Sequence, residues 1–323
     1  MTATLRPMSL GEILDRTFQI YRSRFAAFVA IASVSVVIVN VIYFVTYRWE
    51  QTHWSNAQQA SLSAVLIWVG LYQIAGFIHI CVMPANVCMA SSVILGEECS
   101  LLTSLRFLMA RWRSFLWLAI LRMFAVMVIP EMLIAGLIVG IGIVAVISGS
   151  MHSGAHALLV FAVPVALGVT LFLWLGSCLA LAVPISAVEV DGGFKALRRS
   201  WVLTRNSRGR VLSIWMFVWV FGWAMTYGVQ ILFRWIVLSA FYDHHFGKIS
   251  TAVYLLVAYL LNAVVSAAIG PIYPIAVTLI YYDQRIRHEG FDIEFMMNAA
   301  GLNAPVSLPA EDVPVGASTA GGV

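Results

Sequence analysis

Arg122 and Glu131 are two ionisable residues inside one long apolar stretch, residues 114–148. Charged groups in such surroundings are rare and by default mark a binding site or a proton relay. They are nine residues apart, which is about 13 Å along a straight helix. That is too far for a direct ion pair unless Pro130 bends the chain. A relay or ligand site and a pair of packing clamps both fit the spacing. Polar residues that could answer them lie in other apolar stretches: Asn40, Gln73, His79, Asn86, Gln230 and Asn262. His79 and Asn86 are seven apart and so share a helix face. His152 and His156 have an i, i+4 spacing that can hold a metal, but Gly154 between them weakens a helix there. With His53, Asp243, His244 and His245 they read more simply as polar residues of outer loops. No nucleophile–base pair or metal box occurs, so no catalytic residue, cofactor or metal is expected.

The elements that must hold these residues follow from composition. The chain has 323 residues, of which 61% are hydrophobic and 11% charged, with a mean hydropathy of +0.91. A soluble domain carries roughly 25% charged residues, so the bilayer must be the main solvent. Six apolar stretches can be read, at 25–47, 61–95, 114–148, 157–188, 211–241 and 251–282. A span needs about 20 residues, and all but the first are longer, so tilting or kinking is expected. Pro84, Pro130, Pro164, Pro184, Pro271 and Pro274 lie within them; a re-entrant hairpin is the alternative in any one stretch. The first stretch is too long for a cleaved signal peptide and has no small-x-small site after it. Cys81, Cys88, Cys99 and Cys178 form no disulfide framework and read as small buried hydrophobes.

Charge sets the orientation. Arg6, Arg16, Arg22 and Arg24 precede the first stretch, and Arg106, Arg111 and Arg113 fill the second connection. Lys195, Arg198, Arg199, Arg205, Arg208 and Arg210 fill the fourth; Arg285 and Arg287 follow the last stretch. The odd-numbered connections carry only Arg48 and Lys248. Positive charge marks the cytoplasmic side, so both termini are expected there, in a multi-pass protein of the cytoplasmic membrane.

The opening segment SLGEILDRTFQIYRSRFAAF, from Ser9, places Leu10, Ile13, Leu14, Thr17, Phe18 and Tyr21 on one stripe and Arg16 and Arg22 opposite. Two segments echo it. SLLTSLRFLMARWRSF from Ser100 has a stripe of Leu101, Leu105, Leu108, Met109 and Trp112, with Arg106 and Arg113 opposite. GFKALRRSWVLTRNSRGR from Gly193 sets Phe194, Leu197 and Trp201 against Lys195, Arg198, Arg199 and Arg205. The starts recur at about 91 residues, as a repeat requires. The unit is then an amphipathic foot, a span, an outer loop and a second span, in three parallel copies at about 9–99, 100–190 and 191–290. A basic amphipathic helix beside a span lies in the interface plane, and Arg16, Arg22, Arg106, Arg113, Lys195, Arg198, Arg199 and Arg205 are the expected contacts to anionic phospholipid headgroups. Plain charged loops are the alternative. Gly136-x-x-x-Gly140 and Ser266-x-x-x-Gly270 would permit close helix contacts, and the Pro- and Gly-rich tail 303–323 is expected to be disordered.

The segments LRPMSLGEILDRTFQIYRSRF, GGFKALRRSWVLTRNSRGRVLSI and PIYPIAVTLIYYDQRIRHEGFDIEFM resemble the bacterial family of the glycerophosphoryl diester phosphodiesterase membrane domain, over about residues 5–302. The resemblance implies an all-helical membrane bundle whose molecular function is mostly unassigned. In the family's namesake the phosphodiesterase is a separate barrel, which would need about 200–250 further residues and ligands for a divalent metal. The segments HEG at 288–290 and DIE at 292–294 read as structural.

The expectation is therefore an all-α polytopic membrane bundle with six transmembrane helices and interfacial helices, forming one membrane domain over 1–302. It is expected to be non-catalytic and to organise lipids or partner proteins. Its partners are the lipid bilayer, anionic phospholipid headgroups and a membrane protein, with no nucleic acid. The alternative is a transporter or channel for a small solute.

Overall fold

A computed structural model describes residues 6–53, 62–147, 154–189, 192–240 and 248–299. Among these the regular structure is helical. The helices run α1 (Leu10–Ser23), α2 (Phe25–His53), α3 (Leu62–Leu95), α4 (Leu101–Ala110) and α5 (Trp112–Met123). A π-helical turn, Phe124–Val128, leads into α6 (Ile129–Ile147). They continue α7 (Gly154–Cys178), α8 (Ala182–Val188), α9 (Gly193–Leu203), α10 (Arg208–Ala240), α11 (Lys248–Ile269), α12 (Ile272–Glu289) and α13 (Phe291–Ala299). Six of these runs among the described residues are long and apolar enough to cross a membrane, and they fall on the six apolar stretches of the sequence. His152, Asp243, His244, His245 and the tail 303–323 lie outside the described residues, as do the side chains of His53 and His156.

Two of the short helices, α1 and α4, begin where the sequence signals it. Ser9 caps α1 in a capping box: the Glu12 amide donates to Ser9 Oγ and the Ser9 amide donates to Glu12 Oε2 at 2.7 Å. Ser100 caps α4 through the Thr103 amide. Such caps satisfy donors that a helix start otherwise leaves unpaired.

The packing has a cyclic order. α1 lies on α12, α4 on α3, and α9 on α8 and α5. Of the long helices, α2 packs on α11, α5 on α3, and α10 on α7. The first helix of each pair thus leans on the second helix of the pair before it, and the last pair closes on the first. The centre is formed by the foot-side ends of α3, α8 and α12, where Met89, Leu181, Ile185, Ile275 and Tyr281 are fully buried. The outer faces of α2, α6 and α10 remain apolar and exposed, as a lipid-facing surface requires.

Two of the expected stripes stand partly outward, as a stripe entering the acyl boundary would, while other residues of the same helices pack on the bundle. On α9 the buried face is Ala196, Leu197, Ser200 and Leu203, whereas Phe194 is 72% exposed. On α4 Ser104 is buried and Met109 is 68% exposed. Periodicity cannot tell a face against protein from a face against lipid. Small residues take the protein side because they let helices approach closely. Ser200 Oγ and Thr204 Oγ1 also donate to the Cys178 carbonyl at 2.8 and 3.2 Å, at the break between α7 and α8. The close approach that Gly136 and Gly140 would permit is not used within the bundle: among the described residues neither glycine has a neighbour within 4 Å of a Cβ position. The close approach of α6 and α7 runs through Gly168, against Ile134 and the Pro130 carbonyl.

Candidate functional site

The ends of α3, α8 and α12 carry ion-pair clusters that fix the foot side of the bundle. Asp283 is fully buried. Its Oδ1 accepts from the Met8 amide at 2.8 Å, and its Oδ2 accepts from Arg210 at 2.8 Å and Arg287 at 3.0 Å. A second cluster joins Glu189, Arg199, Glu289 and Arg285. Arg199 pairs with Glu189 and reaches Glu289 at 2.9 Å, and Arg285 reaches Glu289 at 3.1 Å. Arg199, expected to face lipid headgroups, is thereby held between two carboxylates. Arg22, Arg106, Arg113, Lys195, Arg198 and Arg205 are exposed and Arg16 is half-buried. Glu289 and Glu294, from the HEG and DIE segments, both act as partners of Arg285.

Between these clusters and the opposite end of the bundle lies a cavity of about 740 Å³. Three of the four residues singled out in the sequence, His79, Asn86 and Arg122, line it; Glu131 does not. Arg122 and Glu131 stand on either side of the π-helical turn Phe124–Val128. They find different partners. Gln73 of α3 donates to Glu131. Arg122, 8% exposed, donates to the Tyr273 hydroxyl at 3.1 Å and touches Met83 Sδ at 3.8 Å. The π-helical turn begins two residues after it, at Phe124; such turns insert one extra residue and recur at functional sites.

The remaining polar groups form short chains across helices. His79 Nδ1 lies 3.1 Å from Ser35 Oγ. Gln230 donates to Asn262 at 3.2 Å, and Asn262 donates to Asn40 at 3.0 Å. Asn86 is 3% exposed and its Oδ1 has no hydrogen-bond partner among the described residues.

Sequence reasoning missed two features of this wall. Tyr273 has no sequence signal beyond its place in an apolar stretch, between Pro271 and Pro274. The ladder Trp215, Trp219, Trp223 and Tyr227, spaced by four, lines one side of the cavity. That spacing alone would have placed the four rings on one helix face. Trp219 and Trp223 stack at 6.1 Å, and Trp223 meets Tyr227 at 4.2 Å.

Chemically, the cavity offers one guanidinium, phenols, aliphatic hydroxyls, amides and an imidazole along an aromatic wall. No Asp or Glu is among its described lining residues. It can hold a negative group by charge and hydrogen bonds and an apolar group by contact; the hydroxyl–imidazole contact of Ser35 and His79 lies in the same lining. Compared with known proteins, the chain matches no family model, no curated protein and no solved structure.

Proposed function

We propose that the chain is a non-catalytic integral membrane protein that organises anionic lipid at the cytoplasmic membrane, built of three parallel two-span repeats. Its relation to the glycerophosphoryl diester phosphodiesterase membrane domain is part of the same proposal. The observation that carries the reading is the matched geometry of α4 and α9. Counted from the helix starts, Leu102 matches Phe194, Ser104 matches Ala196, Arg106 matches Arg198 and Met109 matches Trp201. Ser104 and Ala196 are buried against the bundle, whereas the other three pairs are exposed. Each helix therefore has a face for protein, an apolar face left outward and a basic edge beside it. That is the arrangement an interfacial helix needs. α1 differs: Gly11, Asp15, Gln19 and Arg22 make its outward face polar, so it serves chiefly as a clamp.

Near an anionic surface each basic residue contributes about 1 kcal/mol, or roughly a fivefold preference. The test is electron spin resonance of spin-labelled lipids around the full chain in bilayers. Labelled phosphatidylglycerol should be retained beside the protein over labelled phosphatidylcholine, with the preference fading as salt rises. Arg106→Gln with Lys195→Gln and Arg198→Gln should remove most of it. Equal retention of both lipids would overturn the reading. Orientation is tested separately: in a cysteine-free background, single cysteines at Ser55, Ser153 and Lys248 should react with an impermeant reagent from outside, and one at Ser207 should not.

A second reading, a transporter or channel for a small solute, draws support from the polar cavity around Arg122. It would require that cavity to connect by water to both faces.

A further inference from the structure

The cavity holds an unbalanced positive charge. Arg122 is buried, ten residues into the 33-residue span that starts at Trp112, about 15 Å of helix. A guanidinium has five donor hydrogens, and here its partners are one phenol and one thioether. No carboxylate among the described residues lies within ion-pair distance of it. A buried cation without a counter-charge is costly, and a ligand that supplies the charge relieves that cost. Asn86 adds an amide on the same wall with an unpaired oxygen; either end of an amide can be turned toward a partner. The aromatic ladder from Trp215 to Tyr227 extends from this polar cluster for about 18 Å of helix. A volume of about 740 Å³ is in the range of small-molecule sites, roughly 300–1,000 Å³.

We propose that this cavity binds one anionic amphiphile, with its carboxylate or phosphate on Arg122, the Tyr273 hydroxyl and Asn86, and its apolar tail along the ladder of Trp215, Trp219, Trp223 and Tyr227. An anion without a tail would leave the aromatic wall unused. A zwitterionic or neutral amphiphile would leave Arg122 unbalanced or bring a second cation beside it. The site is separate from the interfacial helices, so it does not depend on their contact with lipid.

The test uses the purified full chain in a non-ionic detergent, with native mass spectrometry counting bound molecules over a titration. Lysophosphatidic acid is the probe; lysophosphatidylcholine of equal chain length and inorganic phosphate are the other arms. Lysophosphatidic acid should bind saturably, one per chain, at least about tenfold tighter than lysophosphatidylcholine. Inorganic phosphate should neither remain bound nor displace it. Arg122→Gln should weaken binding by about tenfold or more, with Arg122→Lys intermediate. Asn86→Asp, which supplies a carboxylate in the same cavity, should weaken it comparably and serves where Arg122→Gln does not fold. Trp219→Ala with Trp223→Ala should weaken binding through the tail. Lys195→Gln with Arg198→Gln should bind as the wild type does, which separates this site from the interfacial helices. Equal binding of lysophosphatidylcholine, displacement by inorganic phosphate, or unchanged affinity in the folded Arg122 and Asn86 variants would each overturn the proposal.

Discussion

The backbone amide of Met8 donates to the buried Oδ1 of Asp283 at 2.8 Å, across 275 residues of chain. Arg210 and Arg287 share the other oxygen of that carboxylate, and both guanidiniums also donate to the Met8 carbonyl. One carboxylate thus ties the segment before α1 to the start of α10 and the end of α12. Removing it strands two guanidiniums and a peptide group. Breaking a buried pair costs about 3–5 kcal/mol, and the partial exposure of Arg210 and Arg287 places this case near the lower end. Asp283→Ala should lower the thermal midpoint in detergent steeply and open the N-terminal segment to protease. Asp283→Asn retains an acceptor for Met8 and should lose less, about 1–2 kcal/mol. Equal midpoints for wild type and alanine variant would remove the hub from the account of the fold.

The π-helical turn at Phe124–Val128 lets one span serve two partners. Arg122 before it meets Tyr273 of α12, and Glu131 after it meets Gln73 of α3. Deleting Ala125 should convert the turn to an ordinary helix and rotate one partner away from its contact. The expected loss is about 1–3 kcal/mol for the polar group left unpaired, read as a lower midpoint. Glu131→Gln, by contrast, keeps a hydrogen bond to Gln73 possible through either amide. It should cost under about 1 kcal/mol and leave amphiphile binding unchanged, because Glu131 does not line the cavity. Loss of binding in Glu131→Gln would return Glu131 to the site.

How far the sequence could be read depended on which neighbour decided each feature. The six long helices were legible because lipid imposes a single composition on all of them. The clustering of His79, Asn86 and Arg122 was legible in part, since polar residues in apolar spans turn inward. The interruption at 179–181 was not: the sequence there is Leu-Ala-Leu, and the break is sustained by Ser200 and Thr204 from another helix. Arg285 and Arg287 were read as orientation charges, and their pairing with Glu289 and Asp283 is invisible without the chain's closure. Met109 and Phe194 stand exposed, as a stripe against lipid would, whereas Leu197 of the same stripe is buried against the bundle. Period alone carries no information on what lies opposite.

Protonation should loosen the start of α1 at acid pH. The Ser9 amide, the Ser9 hydroxyl and Arg6 hold the Glu12 carboxyl below its ordinary value of 4.5. A carboxyl depressed in the fold contributes stability that is present above its unfolded pKa and lost as pH falls through the folded one. Hydrogen exchange at the first turn of α1 should therefore accelerate as pH falls through and below that range, after correction for the intrinsic rate. Glu12→Gln should flatten this dependence. An unchanged profile in the variant would assign the acid response to another group.

Glycines on two sides of one helix pair separate contact from chance. A Cβ on Gly168 would overlap Ile134 Cγ1 and lie 3.3 Å from the Pro130 carbonyl. Ile134 Cγ1 is close to its own backbone, so relief requires α6 and α7 to part rather than a side chain to swing. Overpacking of this kind costs about 1–3 kcal/mol. Gly136, on α6, has nothing among the described residues within 4 Å of its Cβ position. Replacing a helical glycine there with alanine removes backbone freedom from the unfolded chain and gains up to about 1 kcal/mol. Gly168→Ala should thus lower the thermal midpoint in detergent, and Gly136→Ala should leave it level or raise it. The same pair discriminates the two faces of α6. If Gly136→Ala were the damaging change, the Gly136-x-x-x-Gly140 face would have to be packed against another chain, and the apolar, lipid-facing character assigned to that side of the bundle would fail.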